Sequence, residues 1–181
     1  MKDLKVVFMG TPDFAVPVLK ELIENTNVVL VVTKEDKEVG RKRVLTPSPV
    51  AVLAASRGIE VFKPHRLKND YQVILDKDPD IIITCAYGQI VPTAILEYPP
   101  LGCINVHASL LPKYRGASPI TAVIMNGEEK TGITIMYMDE GIDTGNIIHA
   151  SEISIESADT YGTLSEKLSV LGADLLMKTL P

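Results

Sequence analysis

Short runs of Val, Ile and Leu recur along the chain, each parted from the next by a stretch with helical period. Few folds accommodate that alternation. Residues 4–9 read as a buried strand ending at Gly10, and 14–24 as a helix. Ala15, Val18, Leu19, Leu22 and Ile23 share one face of that helix, and Pro17 falls early enough to sit in its first turn. Residues 28–32 form a second apolar strand, and 34–47 read as a charged loop without period. Ser48 is placed to cap a helix that runs to Arg57 and stops at Gly58. Further strands are expected at 59–62, 80–85, 101–106, 132–138 and 147–155, with helices at 71–75, 119–125 and 160–179. Apolar strands alternating with helices imply a Rossmann-like open α/β sheet, mostly parallel, with helices on both faces. No Pro/Gly-rich linker or internal repeat divides the chain, so one domain over 1–181 is expected.

Charge limits the partners. The 181 residues carry 18 basic and 23 acidic side chains, a net charge of −5. Such a surface does not attract nucleic acid globally, so any such contact must use a local basic patch. The segment 34–43 is the one candidate: it holds five basic and three acidic residues and ends in Arg41-Lys42-Arg43. A solvated charged loop is the plainer reading of the same residues. No apolar run reaches membrane-span length, and the N-terminus lacks the pattern of a signal peptide. Two cysteines, Cys85 and Cys103, lie in apolar segments and fit buried thiols in a reducing cytosol.

The first strand is followed by Gly10-Thr11-Pro12-Asp13-Phe14. A dinucleotide site would need G-x-G-x-x-G there, and Pro12 removes an amide such a loop would use. The stretch GCINVHASLLPKYRG, residues 102–116, carries more chemistry. A strand alternates its faces, so Asn105 and His107 point the same way. An imidazole can shuttle a proton, and a carboxamide N–H can hold an oxyanion. On those two residues alone, a hydrogen-bonded core pair is an equally good reading. Ser109-Leu110-Leu111-Pro112 is a stiff loop suited to wall a flat ligand, and Tyr114-Arg115 adds an aromatic and a cation. Downstream, Asp139, Glu140 and Asp143 follow a strand among glycines. One of them can reach His107, and spacing does not choose among the three. Metal binding by Asp139 and Asp143 competes, without EF-hand order or a His pair to support it.

The runs INVHASLLPKYRG and DEGIDTG, in that order, resemble the folate-dependent formyltransferases over essentially the whole chain. GTPDFAVP, GRKRVLTPSPV and AYGQIVP are similar to the members that act on charged initiator tRNA. The resemblance implies formyl transfer from 10-formyltetrahydrofolate to the amino group of initiator methionyl-tRNA, through a tetrahedral intermediate and without a metal. It implies that Asn105, His107 and Asp143 are catalytic. It implies that Ser109, Leu110, Leu111 and Pro112 line the folate site, with Tyr87, Gly88 and Ile90 near the pterin. It makes Arg41, with Lys42 and Arg43, the contact to tRNA. A cytoplasmic monomer follows, as the catalytic part of a longer enzyme whose C-terminal tRNA-binding domain is not in these residues. The nearest alternative is the same transfer to an amino sugar nucleotide or glycinamide ribotide. A non-catalytic ligand-binding α/β domain is the other.

Overall fold

β-Branched residues dominate the central strands because those strands are covered on both faces. In the computed structural model, which describes Met1–Pro181, β1 (Lys5–Gly10) carries Val6 and Phe8 on one side and Val7 and Met9 on the other, all fully buried. The first pair belongs to a core of 25 buried residues and the second to a core of 12. The larger core is roofed by α1 (Val16–Asn25), α2 (Pro49–Ser56), α5 (Pro119–Met125) and α6 (Tyr161–Thr179). The smaller is closed by α3 (Gln72–Asp76) and α4 (Thr93–Leu96), through Ile74, Ile95 and Leu96.

The main sheet also contains β2 (Asn27–Val32), β5 (Val61–Phe62), β6 (Ile81–Cys85), β7 (Cys103–His107), β8 (Lys130–Tyr137) and β9 (Ile147–Ser154), in the order β5-β2-β1-β6-β7-β8-β9. The first five are parallel, and β8 and β9 are added antiparallel. This is the expected open, mostly parallel sheet with helices on both faces. From β1 the chain steps outward to β2 and β5, then returns to β6 on the other side of β1. The loops after β1 and β6 therefore diverge, and a crevice opens at the carboxyl end of the sheet, where ligands of open α/β folds bind. Gly10 ends β1 so close to β6 that a Cβ there would stand 2.8 Å from the Cys85 carbonyl oxygen.

Most elements fall within two residues of expectation, and local chemistry explains their ends. Ser48 Oγ accepts from Ala51 N–H (3.1 Å) and caps α2. Gly58, at φ +68°, ends that helix. Thr160 and Thr163 cap α6 reciprocally. The 34–47 segment differs from expectation. It contains a hairpin of β3 (Lys37–Val39) and β4 (Val44–Thr46), paired Lys37 with Thr46 and Val39 with Val44. Three-residue strands with exposed side chains leave no hydrophobic period to read, and the turn is set by Gly40 (φ +75°) and Arg43 (φ +50°). The four-residue α4 is likewise too short for a period. No helix is long and apolar enough to cross a membrane.

Candidate active site

The carboxyl end of β7 delivers two polar side chains to the crevice. Ile104 and Val106 turn into the larger core, so Asn105 and His107 turn to the opposite face. Thr84 on β6 pairs with Asn105, and its hydroxyl donates to Asn105 Oδ1 at 2.8 Å. That bond occupies the carboxamide oxygen and leaves the NH2 group free of protein partners at the cleft wall. His107 is 6 % exposed, with Nε2 2.9 Å from the Tyr114 carbonyl oxygen and Nδ1 3.6 Å from Asp143 Oδ2.

The open choice among three acids is resolved by what each touches. Asp139 is turned back on its own loop, accepting from Thr144 Oγ1 (2.6 Å) and Gly141 N–H (2.9 Å), and these two bonds hold its carboxyl below the usual range. Glu140 accepts from Thr93 Oγ1 at 3.0 Å, tying the loop to α4. Only Asp143 faces His107. It stands at φ +53°, and its Oδ2 also accepts from Gly116 N–H at 2.8 Å. The separation of 3.6 Å is within ion-pair range and too long for a hydrogen bond.

The cleft has a volume of about 580 Å³. Its walls are largely apolar, with Phe14, Ile90, Val91, Met136, Met138 and Ile142 around the polar group. Tyr87, Gly88 and Ile90 all border it. Ile90 is 85 % exposed and Tyr87 is buried. Burial pushes the Tyr87 phenol up to about 12, and its hydroxyl has no partner in the chain. No group of three or more His, Cys, Asp or Glu is arranged to hold a metal ion.

Two further groups of expected residues lie outside the lining of this cleft. Ser109, Leu110, Leu111 and Pro112, which the resemblance gives to the folate site, follow His107 directly and are not part of this cleft's lining. Ser109 is fully buried with its hydroxyl on the Lys113 carbonyl (2.7 Å), and Leu110 packs over Gly132 on β8. The backbone turns there through a cis Leu111–Pro112 bond, and the Tyr114 carbonyl at the end of the loop meets His107 Nε2. Arg41, Lys42 and Arg43 lie exposed at the hairpin turn, outside the cleft lining, with Arg43 Nε 3.2 Å from Glu38. Sequence reasoning missed Thr84, and it offered Tyr114 only as an aromatic side chain. Thr84 was legible only through its register with Asn105, and Tyr114 acts through a backbone atom that no side-chain pattern announces.

Comparison with known proteins identifies the family. The family model described as formyl transferase matches residues 4–180. A methionyl-tRNA formyltransferase of Macrococcus caseolyticus is 55% identical over 179 residues, covering 98% of this chain and 58% of the relative. That of Bacillus thuringiensis is 58% identical over 181 residues, with coverage of 98% and 58%. The chain thus spans 58% of the length of these curated relatives. Among solved structures, phosphoribosylglycinamide formyltransferase from Bacillus halodurans superposes with a TM-score of 0.79 at 25% identity, over 97% of this chain and 92% of that one. A formyltetrahydrofolate deformylase from Pseudomonas syringae shares the fold, with a TM-score of 0.77 at 16% identity, over 99% and 60% of the two chains. The matched span takes in the whole sheet and every residue of the cleft, so the chain belongs to the formyl transferase family.

Proposed function

We propose that this protein transfers the formyl group of 10-formyltetrahydrofolate to the amino group of initiator methionyl-tRNA. The observation that carries the reading is the meeting of Asn105, His107 and Asp143 on one wall of a largely apolar cleft. Identity of 55–58% to methionyl-tRNA formyltransferases favours this acceptor over the other amines of the family.

The chemistry follows from the groups present. The amine lone pair attacks the formyl carbon, and the carbonyl electrons move onto oxygen. The free Asn105 NH2 donates to that oxyanion, a contribution of roughly 100-fold or more for one well-placed donor, and the positive charge that forms on His107 offsets it through space. His107 takes the proton released by the attacking nitrogen and returns it to the leaving nitrogen of the folate as the old C–N bond breaks. Asp143 stabilises the imidazolium formed between these steps. Holding two substrates side by side in a shaped cleft supplies much of the remainder.

Tyr87, Gly88 and Ile90 form the wall we assign to the pterin, where an apolar slot suits a flat ring. Arg41, Lys42 and Arg43 contact the phosphates of the tRNA, consistent with an exposed cationic turn on a chain that is otherwise net acidic. The reading carries with it a cytoplasmic monomer in which residues 1–181 are the catalytic domain. A transfer assay comparing charged initiator tRNA, glycinamide ribotide and an amino sugar nucleotide tests it. Preference for either of the latter overturns the acceptor, and formate release without any amine overturns transfer itself.

A further inference from the structure

The loop after His107 is densely bonded to the sheet and to itself. Thr134, fully buried on β8, donates through Oγ1 to the Ser109 carbonyl at 2.6 Å and accepts from Leu111 N–H at 3.1 Å. Ser109 Oγ donates to the Lys113 carbonyl at 2.7 Å, with the Tyr114 carbonyl at 3.3 Å. Tyr114 stands at φ +57°, a left-handed conformation that a bulky aromatic rarely adopts without support. The support comes from the far end of its side chain. The ring packs against the larger core, and the hydroxyl donates to Glu128 Oε1 (2.7 Å) and accepts from Asn126 Nδ2 (3.2 Å), both just past α5. Tyr114 is thus held at both ends, and its carbonyl oxygen arrives 2.9 Å from His107 Nε2.

A carbonyl oxygen can only accept a hydrogen bond, so the ring nitrogen facing it must carry hydrogen. In a neutral imidazole the other nitrogen is then a bare lone pair. The Asp143 contact agrees. A hydrogen on Nδ1 would draw the carboxylate to roughly 2.7–2.9 Å, whereas the observed separation is 3.6 Å and Asp143 takes its hydrogen bond from Gly116 N–H instead. We propose that Tyr114 is a positioning residue whose carbonyl fixes His107 in the Nε2–H form, leaving Nδ1 as the atom that handles the proton. The proton-handling half of this rests on the formyl-transfer reading, and the tautomer half does not. As the amine nitrogen bonds to the formyl carbon, its proton passes to Nδ1. The resulting imidazolium holds Tyr114 O through Nε2–H and faces Asp143 through Nδ1–H. When the old C–N bond breaks, that proton leaves on the folate nitrogen and the ring is neutral again.

The measurement is a long-range 1H–15N correlation spectrum of the ring-labelled chain, taken where histidines are neutral, with His107 assigned among the three histidines by His107→Gln. A fixed Nε2–H pattern for His107 is expected. An Nδ1–H pattern, or a rapidly averaging mixture, overturns the proposal. Tyr114→Phe should lose the fixed pattern and lower kcat about 10-fold, with donor KM within about twofold, because proton transfer and not binding is disturbed. Glu128→Ala should do the same, and Glu128→Gln, which keeps an acceptor for the hydroxyl, should restore the pattern. Variants that keep both the pattern and full kcat overturn the brace. If Tyr114→Phe does not fold, the native spectrum and the Glu128 pair decide alone. A native chain that shows the Nε2–H pattern but transfers no formyl group overturns the functional reading and leaves the tautomer assignment standing.

Discussion

The loop after β7 and the hairpin β3–β4 carry the most distinctive sequence in the chain, and they are built in opposite ways. The first is anchored from within: Ser109 and Thr134 are fully buried, and their hydroxyls bond backbone atoms of the loop. Such bonds are costly to break because the partner left behind is a buried polar group with nothing to replace it. The hairpin is held by its own short ladder and by an ion pair whose side chains are 81% and 56% exposed. Exposed pairs of that kind contribute little. Its apolar residues Val39, Val44 and Leu45 also face outward. One loop is tied to the sheet on either side of the contact to a ring nitrogen. The other is free to adjust to whatever its cations meet.

The comparison breaks first at His107. His107→Ala is expected to lower turnover roughly 100-fold or more in a steady-state transfer assay, with folate-analogue binding nearly intact. Normal turnover would mean that the braced loop serves packing alone. The next effect is on stability. Thr134→Val leaves Leu111 N–H unpaired and should cost about 1–3 kcal/mol by denaturant titration, whereas Glu38→Ala in the hairpin should stay within about 0.5 kcal/mol. Equal costs would erase the distinction between the two loops. The hairpin should instead show itself in binding. Arg41→Ala and Arg43→Ala are each expected to raise KM for tRNA a few-fold, roughly 1 kcal/mol, and to reduce the salt slope by about one, with donor KM unchanged. A salt slope that stays put would remove the phosphate contact.

The smallest effect is a control away from both loops. Lys167 Nζ, Glu156 N–H and Thr163 Oγ1 donate to Asp159 at the start of α6 and lower its carboxyl to about 2. The folded value lies below the unfolded one. The stabilisation is therefore complete above the ordinary carboxylate range, about 4, and is lost as pH falls toward 2. Melting curves of the native chain and Asp159→Asn should converge on acidification to about 2. A gap that persists there would assign the effect to something other than this carboxylate.

Much of the architecture was legible because burial on two faces writes itself into composition. Val6 to Met9 and Ile81 to Ile83 can only be covered strands, and the steps Leu164, Leu168, Leu171 and Leu175 mark one face of α6. Asn105 and His107 were legible by strand parity. What escaped has a common physical cause. The hairpin lacks a buried face, and the choice of Asp143 over Asp139 depends on a left-handed backbone and on Thr144 capturing the rival carboxylate. The SLLP run was assigned to the folate site by resemblance, and the internal bonding of its buried Ser109 hydroxyl is invisible in the sequence. Tyr114 contributes a carbonyl, which every residue possesses.

Gly10 has a consequence for how the crevice meets its guests. β1 and β6 pair at Gly10 and Cys85 with no room for even a methyl group, so a larger residue there would push against the floor of the crevice. The wall above that floor comes from the segment between β8 and β9, where Asp139 to Asp143 border the crevice, so a change at Gly10 would be felt across the slot from Asp143.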